Sequence, residues 1–515
     1  MRPTAPLLLV ALLALQLAGA HAASAPDRTA AAELTPDTVI LELPLADGQP
    51  PLRATLRQTM AALKVPGFSV ALIDDYKIAW ARGYGVTAPG GERPVTPATL
   101  FQAASISKPV TAAGGLWLVG QGKLSLDADV NARLTNWKVP ENEFTRSEKV
   151  TLRRLMSHNA GLNIHGFAGY EKGTPIPTLV QSLDGVRPAN HPPIRVDTVP
   201  GTRCMYSGGG VTIEGLLIQD VAGEPFEDFM RDRVLLPSGM RDSTFRQDLP
   251  PAQAARAATG AGIDGKAVPG GWHIYPELAP DGLWTTPSDL AKFAIEIALS
   301  EQGKANHVLS RALTREMLAV QCEDDNDRVG LGFGVGYPGY PDLFRHTGGN
   351  EGFGSILLMF ADHGYGLAAT GNSDAFMTVA NLAIGKLAKD HGWNYEPPMD
   401  LEDMLVLVRT LKDTRTALDT YARIKASGFA GYHHGSGSLN TFGYSLLRDR
   451  RYAEAIQVMQ LNVTEYPQDF NTYDSLAEAY RDAGEKALAI RNYETSLRMN
   501  PQNANAKEQL KKLRE

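Results

Sequence analysis

Near the end of the chain the same kinds of residue return at a fixed interval of 34 positions. Leu439 is answered by Tyr473, Ala453 by Ala487, Ile456 by Ile490, Met459 by Tyr493 and Pro467 by Pro501. A period of this length holds one helical hairpin and its turns. Alanine at the close crossing lets the two helices of a unit approach. The bulky positions fill the gap to the next unit, and a proline stops each second helix. The end of the chain is therefore committed to a stack of antiparallel helices before the rest is read.

Two stretches, "YAEAIQVMQLNVTEYP" (452–467) and "KALAIRNYETSLRMNP" (486–501), closely resemble the tetratricopeptide repeat. Two repeats are few for such a stack. Residues 401–428, "LEDMLVLVRTLKDTRTALDTYARIKASG", carry apolar residues at helical spacing. There Ala417, Leu418 and Tyr421 match Ala455, Ile456 and Met459 at an interval of 38. This segment is expected to be a degenerate first repeat, and Asn505 to Glu515 a polar cap. The resemblance implies an all-α tetratricopeptide domain over 400–515 that docks on the rest of the chain or binds a partner protein. His433 and His434 are expected to be a solvated pair in a Gly-rich loop.

The other end, "MRPTAPLLLVALLALQLAGAHAASAP", has Arg2, an apolar run from Leu7 to Leu17 and "AHA" at 20–22. That is the pattern of a signal peptide (1–22) cut after Ala22, with an apolar run too short to stay as an anchor. The expectation is a periplasmic or secreted protein with no membrane anchor after cleavage. Cys204 and Cys322 then meet an oxidising compartment, although the sequence leaves their pairing open. The formal charge is −7, from 50 Lys and Arg against 57 Asp and Glu, and no basic run stands out. Nucleic acid is excluded as the main partner, because phosphate binding needs clustered cations.

The region from about 45 to 395 has a different grammar. "GFSVALID" and "KIAWARGYG" flank "DY" near its start, and "GSILLMFAD" and "GLAATGN" flank "HGY" near its end. Both read as hairpins. Helical stretches such as "PVTAAGGLWLVGQG" and "VTIEGLLIQDVAG" lie between. The expected fold is α+β, an antiparallel sheet flanked by helices. The Pro-rich stretch 185–201 is expected to be irregular and to line a cleft.

Chemistry concentrates in three places. "SISK" (105–108) precedes a helix whose first turn holds Pro109, so Ser105 lies near a helix N-terminus with Lys108 on the same face. An amine there can reach the serine hydroxyl. "GTRCMYSGGGVTIEGLL" (201–217) sets Tyr206 in a turn ahead of another helix, where a nearby cation would favour the phenolate. "LFRHTGGNEGFGSILL" (343–358) carries His346 and Thr347 on a strand that runs into Gly348 and Gly349, whose backbone a substrate can approach. Taken singly, these are a helix cap, a packing tyrosine and a glycine turn.

Taken in order, Ser-x-x-Lys, Tyr-Ser and His-Thr-Gly resemble the class C β-lactamase and penicillin-binding-protein family of serine hydrolases. "VTLRRLMSHNAGL" (150–162), "LLPSGMRDSTF" (235–245), "DGLWTTPSDLAKF" (281–293) and "VGLGFGVGY" (329–337) resemble its framework segments, so the likeness covers roughly 50–385. It implies Ser105 as nucleophile and acyl carrier, with Lys108 and Tyr206 sharing the proton work; which is the base stays open. It implies an oxyanion hole from the backbone N–H groups of Ser105 and Gly349. It implies substrate contacts from His346, Thr347 and Gly348, and neither metal nor organic cofactor.

Two positions depart from the β-lactamase pattern. Gly208 stands where Tyr-x-Asn supplies an amide, and His346 stands where Lys precedes Thr-Gly. The expected substrate is therefore an ester, small amide or peptide, with only weak β-lactam hydrolysis. A cell-wall D,D-peptidase and a non-catalytic binding protein that works through its repeats are the alternatives.

Overall fold

Residues 67–74 and 353–360 are almost wholly apolar, and strands that read this way must be covered on both faces. That is how they are used. The structure, a computed structural model, describes residues 33–45, 50–323 and 328–515. Its centre is an antiparallel sheet built from β1 (Gly67–Asp74), β2 (Lys77–Gly85), β3 (Cys322–Glu323), β4 (Arg328–Val329), β5 (Gly334–Tyr337), β6 (Tyr340–Asn350), β7 (Phe353–Phe360) and β8 (Tyr365–Gly371). The order across the sheet is β2-β1-β8-β7-β6-β5-β4-β3. The β1–β2 hairpin turns through Asp75 and Tyr76, at φ +49° and +56°, a pair of left-handed residues whose twist matches the strands they join.

Side chains alternate across the sheet with period two. Ala71, Ile73, Leu357 and Met359 face one core, against α1 (Ser107–Gly120), α2 (Gly208–Ala222) and α3 (Pro287–Glu301). Phe68, Val70, Leu72, Ile356 and Leu358 face the other, where α4 (Phe376–His391) packs. The second core continues without a break into the C-terminal helices α5 (Leu401–Leu411), α6 (Thr414–Ala426), α7 (Ser436–Arg448) and α8 (Tyr452–Glu465), through Leu405, Val408, Tyr421, Phe442 and Val458. The helical part thus rests on the face of the sheet opposite the Ser105 turn.

In those helices the 34-residue interval reappears as spacing in space. Helix α7 begins at 436 and α9 (Phe470–Asp482) at 470; α8 begins at 452 and α10 (Lys486–Met499) at 486. Ala455 and Ala489 are fully buried at the helix crossings, as are Met459 and Tyr493. The last helix, α11 (Ala504–Arg514), buries Ala506 and Leu510 and leaves its charged residues outside.

Two features refine the sequence reading. Ordered structure starts before position 45, because Val39–Leu43 pairs with Leu52–Thr55. The histidine pair is exposed, as a solvated pair should be, and it is also ordered. Tyr432–His433 forms a short strand parallel to Met399–Asp400, and the His434 ring stacks on Phe429 at 3.9 Å. The expected signal segment, 1–22, lies outside the described residues. No helix among the described residues is long and apolar enough to cross a membrane.

Cys204 and Cys322 form a disulfide across 118 residues, with Cα atoms 5.8 Å apart. It ties the loop before Tyr206 to the outermost strand, β3. A disulfide typically stabilises a fold by about 2–4 kcal/mol. Cys204→Ser is expected to lower the melting temperature, and reductant is expected to reproduce the shift in the wild type but not in the variant.

Candidate active site

Ser105 sits in a single 3-10 turn, Ala104–Ile106, that leads directly into α1. Ala104 just before it has φ +48°, a left-handed conformation that a β-carbon disfavours and that neighbours must hold in place. The holding contacts come from β6 and β7. Ser355 Oγ donates to the Ala103 carbonyl at 2.6 Å. Gly348 lies so close that a β-carbon there would sit 2.3 Å from Ala103 O and 2.9 Å from Ser105 N.

Lys108 is in the first turn of α1, one helical step from Ser105, and its Nζ donates to Ser105 Oγ at 2.8 Å. The side chain is 1% exposed, and its salt-bridge partner Asp281, at 3.2 Å, is 5% exposed. Burial by itself would lower the lysine pKa, yet the Asp281 carboxylate and the Tyr206 phenol outweigh it and hold the ammonium above its ordinary range.

Tyr206 ends the loop held by the disulfide. The next residue, Ser207, caps α2 by accepting the Gly210 N–H at 3.0 Å. The Tyr206 ring lies 4.4 Å from that of His158 and 4.8 Å from that of His165, with Lys108 Nζ 4.9 Å from its centroid. His158 takes the Ser207 N–H on Nδ1 at 3.3 Å. Desolvation first and the Lys108 cation second keep its imidazole well below the usual histidine range, so it is neutral.

On β6, His346 and Thr347 stand at the cleft with Gly348 and Gly349 behind them, in register with Leu357, Ile356, Ser355 and Gly354 of β7. His346 Nδ1 donates to the Thr347 carbonyl at 2.6 Å, which leaves Nε2 as an acceptor. Desolvation and the nearby Lys108 charge lower its pKa. A neutral acceptor is a poor grip for a substrate carboxylate. At Gly208 a β-carbon would meet the His165 carbonyl at 3.0 Å and the Phe167 ring at 3.2 Å, so a side chain there is crowded and its neighbours must give by a few tenths of an ångström.

Ser105, Tyr206, Asp281, His346, Thr347 and Gly349 all open on one cleft of about 420 Å³, the size of a small-molecule site. The candidate residues Ser105, Tyr206, His346, Thr347, Gly348 and Gly349 are thus brought to one place, with Lys108 bonded to Ser105 behind them. The sequence reading missed Asp281, which touches both Ser105 and Lys108, and the histidines packed on Tyr206. Asp281 and His158 lie inside stretches whose pattern reads only as framework, and His165 lies three residues beyond one of them. The signal that was there is a carboxylate opening "DGLW", a charge with no helical or strand partner nearby in sequence.

A model of the family described as Beta-lactamase matches residues 52–389. The chain belongs to that family. It is 28% identical over 344 residues to Penicillin-binding protein 4 of Amycolatopsis lactamdurans, spanning 63% of this chain and 86% of that protein. It is 25% identical over 354 residues to Unguisins hydrolase ungD' of Aspergillus campestris, spanning 64% of this chain and 62% of that one. Among solved structures, the octameric penicillin-binding protein homologue from Pyrococcus abyssi superposes with a TM-score of 0.56 at 25% identity, over 66% of this chain and 76% of that chain. This β-lactamase-family chain is therefore a serine hydrolase with penicillin-binding-protein-like relatives. The matched stretch holds the sheet, the 3-10 turn and the cleft, and ends before α5.

Proposed function

We propose that the hydrolase opens esters, small amides or short peptides through an acyl-enzyme on Ser105. The observation that carries this reading is the 2.8 Å bond from Lys108 Nζ to Ser105 Oγ at the mouth of a cleft that Tyr206 also lines. The ammonium polarises the serine oxygen, and the Ser105 and Gly349 N–H groups take the negative charge that develops on the acyl oxygen. Lys108 and Tyr206 flank the nucleophile and stabilise the charge on its oxygen as its proton leaves. Neutral His346 and the crowded Gly208 position, which lacks an amide, favour substrates without a carboxylate anchor, so β-lactam turnover is expected to be slow.

A D,D-peptidase is the second reading, favoured by the name of the Amycolatopsis relative. A purely binding role for the fold is disfavoured, because a relic has no chemical need for a buried amine aimed at a serine. The signal-like N-terminus and the disulfide support a periplasmic or secreted location. The helical end is proposed as a tetratricopeptide module that braces the sheet and offers its outer helices to a protein partner.

The test is covalent labelling. Incubated with a fluorophosphonate, the wild type is expected to gain the mass of a single adduct, and Ser105→Ala none. A folded wild type that takes no label overturns the reading. A panel of p-nitrophenyl esters, D-alanyl amides and nitrocefin then ranks the substrate classes.

A further inference from the structure

The segment carrying Asp281 is sewn along the Ser105 turn. Thr111 Oγ1 donates to Ala279 O at 2.9 Å, Leu283 N–H donates to Ser107 Oγ at 3.0 Å, and Ala103 N–H donates to Leu283 O at 2.8 Å. From the sheet side, Asn350 Nδ2 reaches the Asp281 carbonyl at 3.1 Å. With its main chain fixed at these points, the Asp281 side chain has a set direction. Its Oδ1 lies 3.1 Å from Ser105 Oγ and 3.2 Å from Lys108 Nζ.

The hydrogens can be counted. An ammonium has three N–H bonds and no lone pair. Lys108 Nζ faces three acceptors: Ser105 Oγ at 2.8 Å, Pro280 O at 3.1 Å and Asp281 Oδ1 at 3.2 Å. Each takes one hydrogen. Ser105 Oγ is then an acceptor toward Lys108 and has its own hydrogen to give, and the Asp281 carboxylate is at hydrogen-bond distance to receive it. A carboxylate present only to neutralise a buried lysine has no need to touch the nucleophile.

We propose that Asp281 is a further catalytic residue of this hydrolase, one that keeps Lys108 as an ammonium and takes the Ser105 proton during acylation. The inference rests on Ser105 being the nucleophile. As Ser105 Oγ bonds to the acyl carbon, the carbonyl π pair moves onto its oxygen and the Oγ proton passes to Asp281 Oδ1. When the intermediate collapses, the bond to the leaving group breaks and the leaving group carries that proton away. In the second half, a water oxygen attacks the acyl carbon and its proton passes to Asp281. Ser105 Oγ departs and takes the proton back. One water is consumed, and Lys108 keeps its three hydrogens throughout while it stabilises charge on Oγ. The Tyr206 ring also lies against the ammonium, its centroid 4.9 Å from Lys108 Nζ. His158 and His346 are further titratable groups whose charge the Lys108 ammonium opposes, and His165 lines the same cleft.

The test measures fluorophosphonate labelling rates of the full chain in wild type, D281N, D281E and S105A. Fluoride leaves without needing a proton, so the rate reports the nucleophile's activation alone. Asparagine keeps the size and an acceptor oxygen but takes no proton. D281N is expected to fold, by circular dichroism, and to label slower by about 10²–10⁴-fold, the usual worth of a positioned base. D281E, which keeps a carboxylate, is expected to recover part of the rate. The wild-type rate is expected to stay level from about pH 6 to about pH 9, since no deprotonation of Lys108 is required. That profile and D281E decide the matter should D281N not fold. A D281N that labels as fast as wild type overturns the proposal, and so does a wild-type rate that climbs steadily with pH across that range. A wild type that takes no label removes the nucleophile and both readings together. A labelled wild type beside an equally fast D281N removes the role of Asp281 alone.

Discussion

Lys108→Met is expected to stop the reaction and to destabilise the protein together. Methionine fills much of the same volume, so the loss is electrostatic. Lys108 is 1% exposed and Asp281 5%, and removing one partner strands the other's charge in the core. Breaking such a pair costs about 3–5 kcal/mol. Chemical denaturation measures this, and a variant within error of wild type would show that the pair contributes nothing net. The same substitution removes the donor to Ser105 Oγ, and labelling should fall by about 10⁴-fold or more, the scale at which a catalytic unit fails when one member is lost. The sign of the pH dependence follows from the raised lysine pKa. The folded state binds this proton more tightly than the unfolded chain. The pair's stabilisation is therefore whole across neutral pH and is lost only above the ordinary lysine range. Wild type and Lys108→Met should converge in stability at strongly alkaline pH.

Gly348→Ala is expected to have a comparable effect by a different route. A β-carbon at this position would lie 2.3 Å from Ala103 O, 2.5 Å from Ser355 Oγ and 2.9 Å from Ser105 N. Two of these are main-chain atoms in or next to the turn that carries Ser105, so the turn and β6 must separate. A shift near 1 Å at reacting groups lowers rates by about 10²-fold. Loss of an aligned oxyanion donor lowers them by about 10²–10³-fold. Gly349→Ala is the control, because a β-carbon there meets nothing within 4 Å. It should melt like the wild type, whereas Gly348→Ala should melt lower and label slowly. Equal melting temperatures for the two variants would refute the packing argument.

Much of the site was legible because its parts are local. Ser105 and Lys108 are one helical step apart, and Pro109 dates the start of the helix. Tyr206 precedes a capped helix, and His346 to Gly349 lie on one strand, so each motif is readable within a few residues. Asp281 was not legible, since it meets Ser105 across 176 positions and has no periodic partner of its own. The histidines around Tyr206 come from 158, 165 and 346 and share no spacing rule.

By itself the sequence determined what neighbouring residues decide: the hairpins around Asp75 and His363, the helix that begins after Ser105, and the 34-residue beat of the last helices. Hydrogen bonding and burial act there over a few positions, so the pattern is written in order along the chain. Only the tertiary structure decided that Cys204 meets Cys322, that one apolar core runs from the sheet into α5–α8, and that one carboxylate touches both Ser105 and Lys108. Those contacts are chosen by how whole elements pack, and packing between distant segments leaves no period to read.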